Sequence, residues 1–124
     1  MLDNNLLNEL KKLGVKHNRK NILKIAKLKN NKIVFLEKGN EGSGLQHILD
    51  NHEKQFADKG ILAEQVPDLL INALIYGKIV GYQSENRPIY AITFNKQKCL
   101  IAISVSNNGY IVCANPRSNI INRR

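Results

Sequence analysis

The stretch from residue 78 to residue 114, KIVGYQSENRPIYAITFNKQKCLIAISVSNNGYIVCA, decides the fold class. It alternates apolar runs with short polar segments: SENR at 84–87, NKQ at 95–97 and NNG at 107–109. An Asn-Gly pair between two apolar runs is a strong hairpin signal. Three such connections in a row predict a four-stranded antiparallel meander, with strands at Lys78–Gln83, Pro88–Phe94, Lys98–Ser106 and Tyr110–Ala114.

The segments upstream of this meander carry helical patterns. Residues 43–58 predict a helix, because Ser43 is a suitable N-cap, Gln46 completes a capping box and Lys59-Gly60 supplies a stop. A further helix is predicted at about Pro67–Tyr76, with proline in its first turn. Helices followed by strands indicate an α+β fold, with N-terminal helices packed on a twisted four- to five-stranded antiparallel sheet.

The first 32 residues are distinguished by their charge. The chain has 124 residues and a formal charge of +9, and residues 1–32 hold nine Lys or Arg against two acids. We expect a basic helical arm, made of a leucine-spaced helix that Gly14 ends and a second helix from about residue 20 to residue 28. A strand at Ile33–Leu36 then begins a single compact core, residues 33–124. Clustered cations are typical of polyanion binding; a merely solvated arm and a membrane-surface helix are the alternatives.

Several classes of protein are excluded by composition and motif. No apolar run is long enough to span a membrane, and no P-loop, GxSxG or dinucleotide-binding glycine pattern occurs. Cys99 and Cys113 have neither CxxC spacing nor a histidine cluster. We therefore expect reduced strand or core cysteines rather than a zinc site, while one disulfide between adjacent strands stays open. The sequence favours chemistry that needs no metal and no cofactor.

The helix at residues 43–58 carries two histidines on different faces. His52 falls within the apolar stripe, which favours a core histidine with one satisfied nitrogen. His47 lies on the opposite face, in the first turn, where the helix dipole favours a neutral imidazole and a bound anion. Such a histidine suits a general base acting on a phosphodiester, and an ordinary surface histidine is the alternative. Lys54 follows on the same face two turns later.

Hydroxyl side chains on the predicted strands suggest a phosphate pocket. Thr93 and Ser104 fall on strand faces opposite the apolar residues, Tyr110 begins the last strand, and Arg117 follows just beyond it. Hydroxyls on an open sheet face with an arginine at the rim suit phosphate binding. The alternative is that each is a routine solvent-facing residue.

The motifs together resemble a known family. The helix motif Gly44-Leu45-Gln46-His47-Ile48, followed by His52, resembles the Gly-Leu-x-His-Ile-x-x-x-x-His helix of barnase/EndoU/colicin/RelE-like endoribonuclease domains. The sheet of the same family is similar to four further segments: Gly77–Tyr82, Arg87–Tyr90, Ile101–Val105 and Asn108–Pro116. The resemblance covers about residues 33–118 and leaves the basic arm outside it. The family includes phage and mobile-element proteins and the C-terminal domains of large bacterial toxins.

The resemblance implies a toxin-like, metal-independent endoribonuclease acting on tRNA or another structured RNA. Such enzymes activate the ribose 2′-hydroxyl against the adjacent phosphate and leave a 2′,3′-cyclic phosphate. It gives His47 the general acid/base role; several relatives carry Thr where Cys113 stands, which puts a hydroxyl from that strand in doubt. The predicted catalytic set, most of it assigned from position and chemistry, is His47, Lys54, Thr93, Ser104, Tyr110 and Arg117.

Expected partners follow from the same resemblance and from the charge. RNA would contact the basic residues of the arm: Lys11, Lys12, Lys16, Arg19, Lys20, Lys24 and Lys27. Toxins of this kind are accompanied by an inhibitor, and an acidic immunity-type protein would complement the positive charge. The expected site of action is the bacterial cytoplasm, with delivery as the C-terminal domain of a larger protein as one route. A non-catalytic nucleic-acid-binding module and an inactive interaction domain of the same fold are the rival hypotheses.

Overall fold

The predicted meander is present in the computed structural model, which describes residues 2–118. Its four antiparallel strands are paired in chain order, β3 to β6. The last strand runs beyond the predicted end at Ala114, through Pro116 to Arg117, because an edge strand tolerates proline where no ladder hydrogen bond is needed. The strands are β3 Lys78–Ser84, β4 Arg87–Phe94, β5 Gln97–Val105 and β6 Ile111–Arg117.

Two helices cover one face of this sheet, as the α+β prediction requires. Helix α2 spans Gly44–Asp58 and α3 spans Val66–Tyr76. The predicted inward alternation of β5 is confirmed, because Ile101 and Ile103 are fully buried in the main core with Phe56 of α2. α2 follows β6 from end to end: the hydroxyls of Ser43 and Tyr110 join at one end, and Lys59 Nζ donates to Ser118 Oγ at the other.

The predicted second basic helix is wrong. Residues 22–27 form strand β1, Ile22–Lys27, which pairs antiparallel with β2, Ile33–Glu37. The apolar spacing of residues 22–26 fits either period, and β-branched Ile22 and Ile25 favour a strand once a partner is available. Pairing with β2 satisfies the backbone groups that a short isolated helix would have to satisfy alone.

The β1–β2 hairpin lies between two hydrophobic clusters. Val34 and Leu36 point into the main core, whereas Ile33 and Phe35 pack in a smaller cluster with α1, Asn4–Lys12. Burial on both faces explains why β2 has four consecutive apolar residues and no alternation of apolar and polar residues. The boundary predicted between residues 32 and 33 falls where the hairpin turn meets β2, so the basic arm and the core share one pair of strands.

The sheet face away from the helices is concave. Nδ2 of Asn115 on β6 donates to Oε1 of Gln83 on β3 at 2.8 Å, although these are the two edge strands. In a flat sheet three strand spacings would separate them by about 14 Å, which exceeds the reach of two amide side chains. The edges must therefore curl toward each other. On this face Ala102 pairs with Asn115 and Ile89 pairs with Ala102, and both are fully buried.

Strand β3 forms one edge of the sheet and is irregular. Its pairing with β4 shifts register twice, between Ile79 and Gly81 and between Tyr82 and Ser84. Ile79 and Tyr82 are nevertheless exposed large side chains. At the opposite edge, Tyr110 makes an isolated parallel bridge with Phe35, which links β2 to the start of β6.

Candidate functional site

Helix α2 begins from a tight loop in which a glycine is required. Gly44 has φ +82°, and a Cβ placed there would lie 2.7 Å from Cα of Gly39 and 3.0 Å from the Tyr110 hydroxyl. Only glycine adopts this backbone conformation freely at such a close approach. The loop thereby brings the start of α2 against Tyr110.

The capping box predicted for Ser43 and Gln46 does not form. Ser43 occupies the N-cap position, but its side chain makes no capping hydrogen bond. Its Oγ lies 2.8 Å from the hydroxyl oxygen of Tyr110, and the backbone N–H of Gln46 donates instead to the carbonyl of Lys38 at 2.8 Å. With the helix donor satisfied by the loop, the serine hydroxyl is free to bind the sheet. We call Ser43 and Tyr110 the hydroxyl pair.

His47 lies about one helical turn after the hydroxyl pair and is half-buried. Its Nδ1 is 2.8 Å from the carbonyl oxygen of Glu41 and 3.2 Å from Nδ2 of Asn51. A carbonyl only accepts, so we assign the proton to Nδ1; the Asn51 amide then donates to the His47 carbonyl at 2.8 Å. In this tautomer Nε2 carries a lone pair, which is the arrangement that a general base needs.

The hydroxyl pair has an aromatic support that sequence reasoning missed. Phe35 packs edge-on against Tyr110, with ring centroids 5.7 Å apart, and against His17 at 6.4 Å. His17 is half-buried, and its Nδ1 is 2.7 Å from the Val15 carbonyl. No local pattern predicts this arrangement, because the three rings come from three separate segments.

The other predicted residues of helix α2 lie farther along it from the hydroxyl pair. His52 is half-buried like His47 and is not the core histidine that the apolar stripe predicts; its Nδ1 bonds to Gln55 Oε1 within the same helix. Lys54 is a solvated side chain, 89% exposed, and its Nζ lies 3.6 Å from the Asp58 carboxylate. At that exposure the ion pair contributes little to stability.

Thr93 and Arg117 line a groove at the far end of the sheet. The groove has a volume of about 910 Å³ and also contains Lys59, Lys98 and Tyr76. None of its lining residues is a carboxylate. We call it the cationic groove. The predicted combination of a strand hydroxyl and a rim arginine is thus brought together here.

The six predicted catalytic residues do not meet in one place. His47 and Lys59 are separated by about 18 Å along α2, at 1.5 Å per residue. Tyr110 and Arg117 are separated by about 23 Å along β6, at 3.3 Å per residue. Both separations run in the same direction, since α2 and β6 are joined at Ser43 and Tyr110 and again at Lys59 and Ser118. His47 and Tyr110 therefore lie at one end of the molecule, and Thr93 and Arg117 at the other.

Ser104 lies near the end of β5, at the end of the sheet that carries Tyr110, but by alternation with the buried Ile103 it points to the face away from α2. It is opposite Cys113, and its Oγ donates to the Cys113 carbonyl at 3.4 Å. A separate cavity of about 630 Å³ touches Ser104 and the turns that join β3 to β4 and β5 to β6. Its hydroxyl is engaged with the neighbouring strand instead of with the groove.

The basic N-terminal residues divide into paired and unpaired cations. Lys24 Nζ lies 2.6 Å from the Asp68 carboxylate, and Lys27 Nζ lies 2.9 Å from that of Glu9. Arg19 donates to the Asn4 side chain, a neutral partner. Of the seven cations predicted to contact RNA, those that are exposed and form no ion pair within residues 2–118 are Lys11, Lys12, Lys16, Arg19 and Lys20.

Two groups on the sheet have displaced pKa values. Burial raises the pKa of the Tyr90 hydroxyl above its ordinary value of 10.0, and neighbouring Tyr82 raises it further. Burial also raises the pKa of the Cys99 thiol, against the lowering effects of a backbone hydrogen bond and of Lys59. Cys99 and Cys113 are both free and buried, which agrees with the prediction of reduced cysteines, and the disulfide that the sequence left open does not form.

Within the part of the chain that the structure describes, no group of three or more His, Cys, Asp or Glu is arranged to hold a metal ion. No helix within residues 2–118 is long and apolar enough to cross a membrane. Comparison of the chain with protein-family models and with curated proteins finds no match.

Proposed function

We propose that this protein is an endoribonuclease whose catalytic centre is the start of helix α2, with His47 as general base. The observation that carries the proposal is the hydrogen bond from His47 Nδ1 to the Glu41 carbonyl. It orients the ring and leaves Nε2 as an acceptor about one turn from two hydroxyl groups. The likeness of residues 44–52 to the histidine helix of barnase/EndoU/colicin/RelE-like domains supports the same assignment.

The reaction is an internal transesterification. His47 Nε2 takes the proton of the ribose 2′-hydroxyl, whose oxygen then attacks the adjacent phosphorus. The bond to the 5′-oxygen of the next nucleotide breaks, and that oxygen takes a proton from a water molecule and leaves as a hydroxyl. A 2′,3′-cyclic phosphate remains, and the protonated His47 returns its proton to solvent. The bond between the Ser43 and Tyr110 hydroxyls uses one of their two protons, and the other proton is donated to a phosphate oxygen, where it stabilises the developing charge. Proton transfer of this kind contributes a factor of about 10² to 10⁴ in rate.

Substrate binding would draw on the positive surface. Lys54 lies two turns from His47 on the same side of the helix, where it would face a neighbouring phosphate. The exposed cations of residues 11–20 extend the positive charge. Structured RNA such as tRNA is the proposed substrate, the bacterial cytoplasm the proposed site of action, and an acidic immunity-type protein the proposed inhibitor.

The test compares two histidine variants of one helix. His47→Ala should lower the cleavage rate at least about 100-fold with an unchanged melting temperature, because the ring bonds only to an exposed loop carbonyl and a neighbouring asparagine. His52→Ala is the matched control and should cleave RNA at the wild-type rate. If His52→Ala loses cleavage and His47→Ala retains it, the assignment is wrong.

Product chemistry separates the enzyme from the rival binding module. In the presence of EDTA, RNA should give 2′,3′-cyclic phosphate ends, whereas DNA and RNA with a 2′-O-methyl group at the scissile nucleotide should resist. Cleavage of the methylated RNA, or a requirement for added magnesium, would contradict the mechanism. Failure of purified, inhibitor-free protein to cut any cellular RNA would favour the binding module.

A further inference from the structure

The concave face of the sheet holds two arginines by neutral partners. Arg87 donates to Asn115 Oδ1 at 3.0 Å, and Arg117 donates to Gln83 Oε1 at 2.9 Å. The same Gln83 oxygen accepts from Asn115 Nδ2, so one chain of amides positions both guanidinium groups. We call these four residues the arginine trough. Asn115 is the only buried polar residue among residues 2–118.

Within residues 2–118, no ion pair neutralises the charge of the trough. The ion pairs within residues 2–118 involve Lys24, Lys27 and Lys54, none of which lies in the trough. Glu85, in the turn that precedes Arg87, makes no ion pair with it. An arginine has five N–H donors in a planar fork, and its pairing with a carboxylate or a phosphate is strong and bidentate. Arginines fixed by amides keep that capacity for a ligand.

The trough continues into the cationic groove, because Arg117 belongs to both. The groove adds Lys59 and Lys98 as cations and no carboxylate. It also contains Tyr76, whose side chain is 71% exposed although its ring is large and apolar. A row of cations beside an exposed aromatic ring is the combination by which proteins bind a single nucleic-acid strand, with phosphates on the cations and a base stacked on the ring.

We infer that the arginine trough and the cationic groove together bind a single-stranded segment of nucleic acid, with phosphates at Arg87, Arg117 and Lys98 and a base on Tyr76. The inference takes its ligand class from the proposed function. The groove end of this surface is distinct from His47, because His47 and Lys59 are separated by about 18 Å along α2. The surface would therefore select RNA that has an unpaired segment away from the cut.

The experiment measures binding without cleavage. A fluorescently labelled 2′-O-methyl oligonucleotide is titrated with the full chain, and binding is followed by fluorescence anisotropy. The dissociation constant is measured at several salt concentrations from about 50 to about 300 mM, which gives the slope of log K against log salt. Arg117→Gln and Arg87→Gln should each reduce the slope of log K against log salt by about 0.7, which is the value for one phosphate contact on a single strand.

The matched control for charge is Lys29→Gln. Lys29 is exposed in the β1–β2 turn, and the neighbouring Lys32 bonds to the Ser106 carbonyl at the end of the sheet away from Arg117. Lys29→Gln should leave the slope of log K against log salt unchanged. Equal losses for Lys29→Gln and the arginine variants would mean that only net charge matters and would overturn the inference. If Arg117→Gln does not fold, Lys98→Gln gives the same comparison.

Two further variants test the ring and the amides. Tyr76→Ala should weaken binding at least about fivefold, the low end of one base stack, whereas Tyr82→Ala, an exposed tyrosine outside the groove, should not. Gln83→Met should weaken binding with an unchanged salt slope, because both arginines keep their charge and lose only their positioning. If Tyr76→Ala binds like the wild type and polyglutamate displaces the strand at equal charge, the face is a site for an acidic polypeptide and the inference fails.

A duplex of the same sequence is the remaining comparison. Tighter binding of the duplex than of the single strand would also overturn the inference. The outcome is separable from that of the proposed function, because His47→Ala should retain full oligonucleotide binding. If the protein cuts no RNA but binds the strand through Arg117 and Tyr76, the proposed nuclease activity is wrong and the inferred binding surface is supported.

Discussion

The hydrogen bond between Ser43 and Tyr110 provides a test of how helix α2 is held on the sheet. The perturbation is a double-mutant cycle of Ser43→Ala and Tyr110→Phe, each of which removes one hydroxyl and leaves the rest of the side chain in place. The two oxygens are 2.8 Å apart and half-buried. If this contact replaces the capping bond, the effects of the two substitutions must depend on each other.

The expected magnitude follows from that geometry. A typical intramolecular hydrogen bond contributes about 0.5–1.5 kcal/mol to the free energy of unfolding, so each single variant should lose about 1 kcal/mol. The double variant should also lose about 1 kcal/mol, which gives a coupling energy near 1 kcal/mol. For 124 residues the unfolding entropy is roughly 0.26 kcal/mol/K, so 1 kcal/mol corresponds to about 4 °C in melting temperature.

The assay is urea unfolding of the four proteins at 25 °C and neutral pH, with melting temperature as a second measure. A capping serine would behave differently, because its loss would cost about 1 kcal/mol whether or not the tyrosine hydroxyl is present. Additive losses that reach about 2 kcal/mol in the double variant would therefore refute the assignment. They would restore the capping role that the sequence predicts.

Three other predictions concern the core, the turns and pH. Phe56→Ala should lower the free energy of unfolding by about 3–5 kcal/mol in urea titrations, because the ring is fully buried; a loss below about 1 kcal/mol would contradict the packing. Gly109→Ala should lower the melting temperature more than Gly14→Ala, since both have positive φ but only at Gly109 would the new Cβ clash with the carbonyl oxygen of Ile33; equal shifts would be inconsistent with that clash. The folded state raises the pKa of Tyr90, so the contribution of its neutral hydroxyl to the free energy of unfolding is complete below pH 10.0 and is lost as pH rises through the folded-state pKa. Tyr90→Phe should therefore flatten the decline of stability at alkaline pH, measured by urea titration at several pH values. An unchanged decline would contradict this assignment to Tyr90.

The parts of the fold that follow from local sequence were predictable. A proline in the first turn of α3 and a glycine at its C-terminal end define the two ends of this helix, and the Asn-Gly turn forms the last hairpin. Residues 22–27 could not be assigned locally, because their apolar spacing fits a helix as well as a strand. Only the partner strand Ile33–Glu37, which satisfies their backbone groups, decides between the two.

The candidate site was predictable only as far as one helix face. The position of His47 off the apolar stripe follows from periodicity. Its neighbourhood does not, because Ser43 and Tyr110 are 67 residues apart in the chain. The amide contact between Gln83 and Asn115 depends on how far the sheet curls, and alternation along a strand contains no information about curvature.

The two irregularities of strand β3 bear on the behaviour of the protein at high concentration. A regular edge strand with exposed Ile79 and Tyr82 would be a template on which another chain could add a strand. The register shifts next to both residues interrupt the even row of backbone donors and acceptors that such addition needs. Deletion of one bulged residue, which would make this edge regular, should therefore increase the formation of intermolecular β-sheet aggregates.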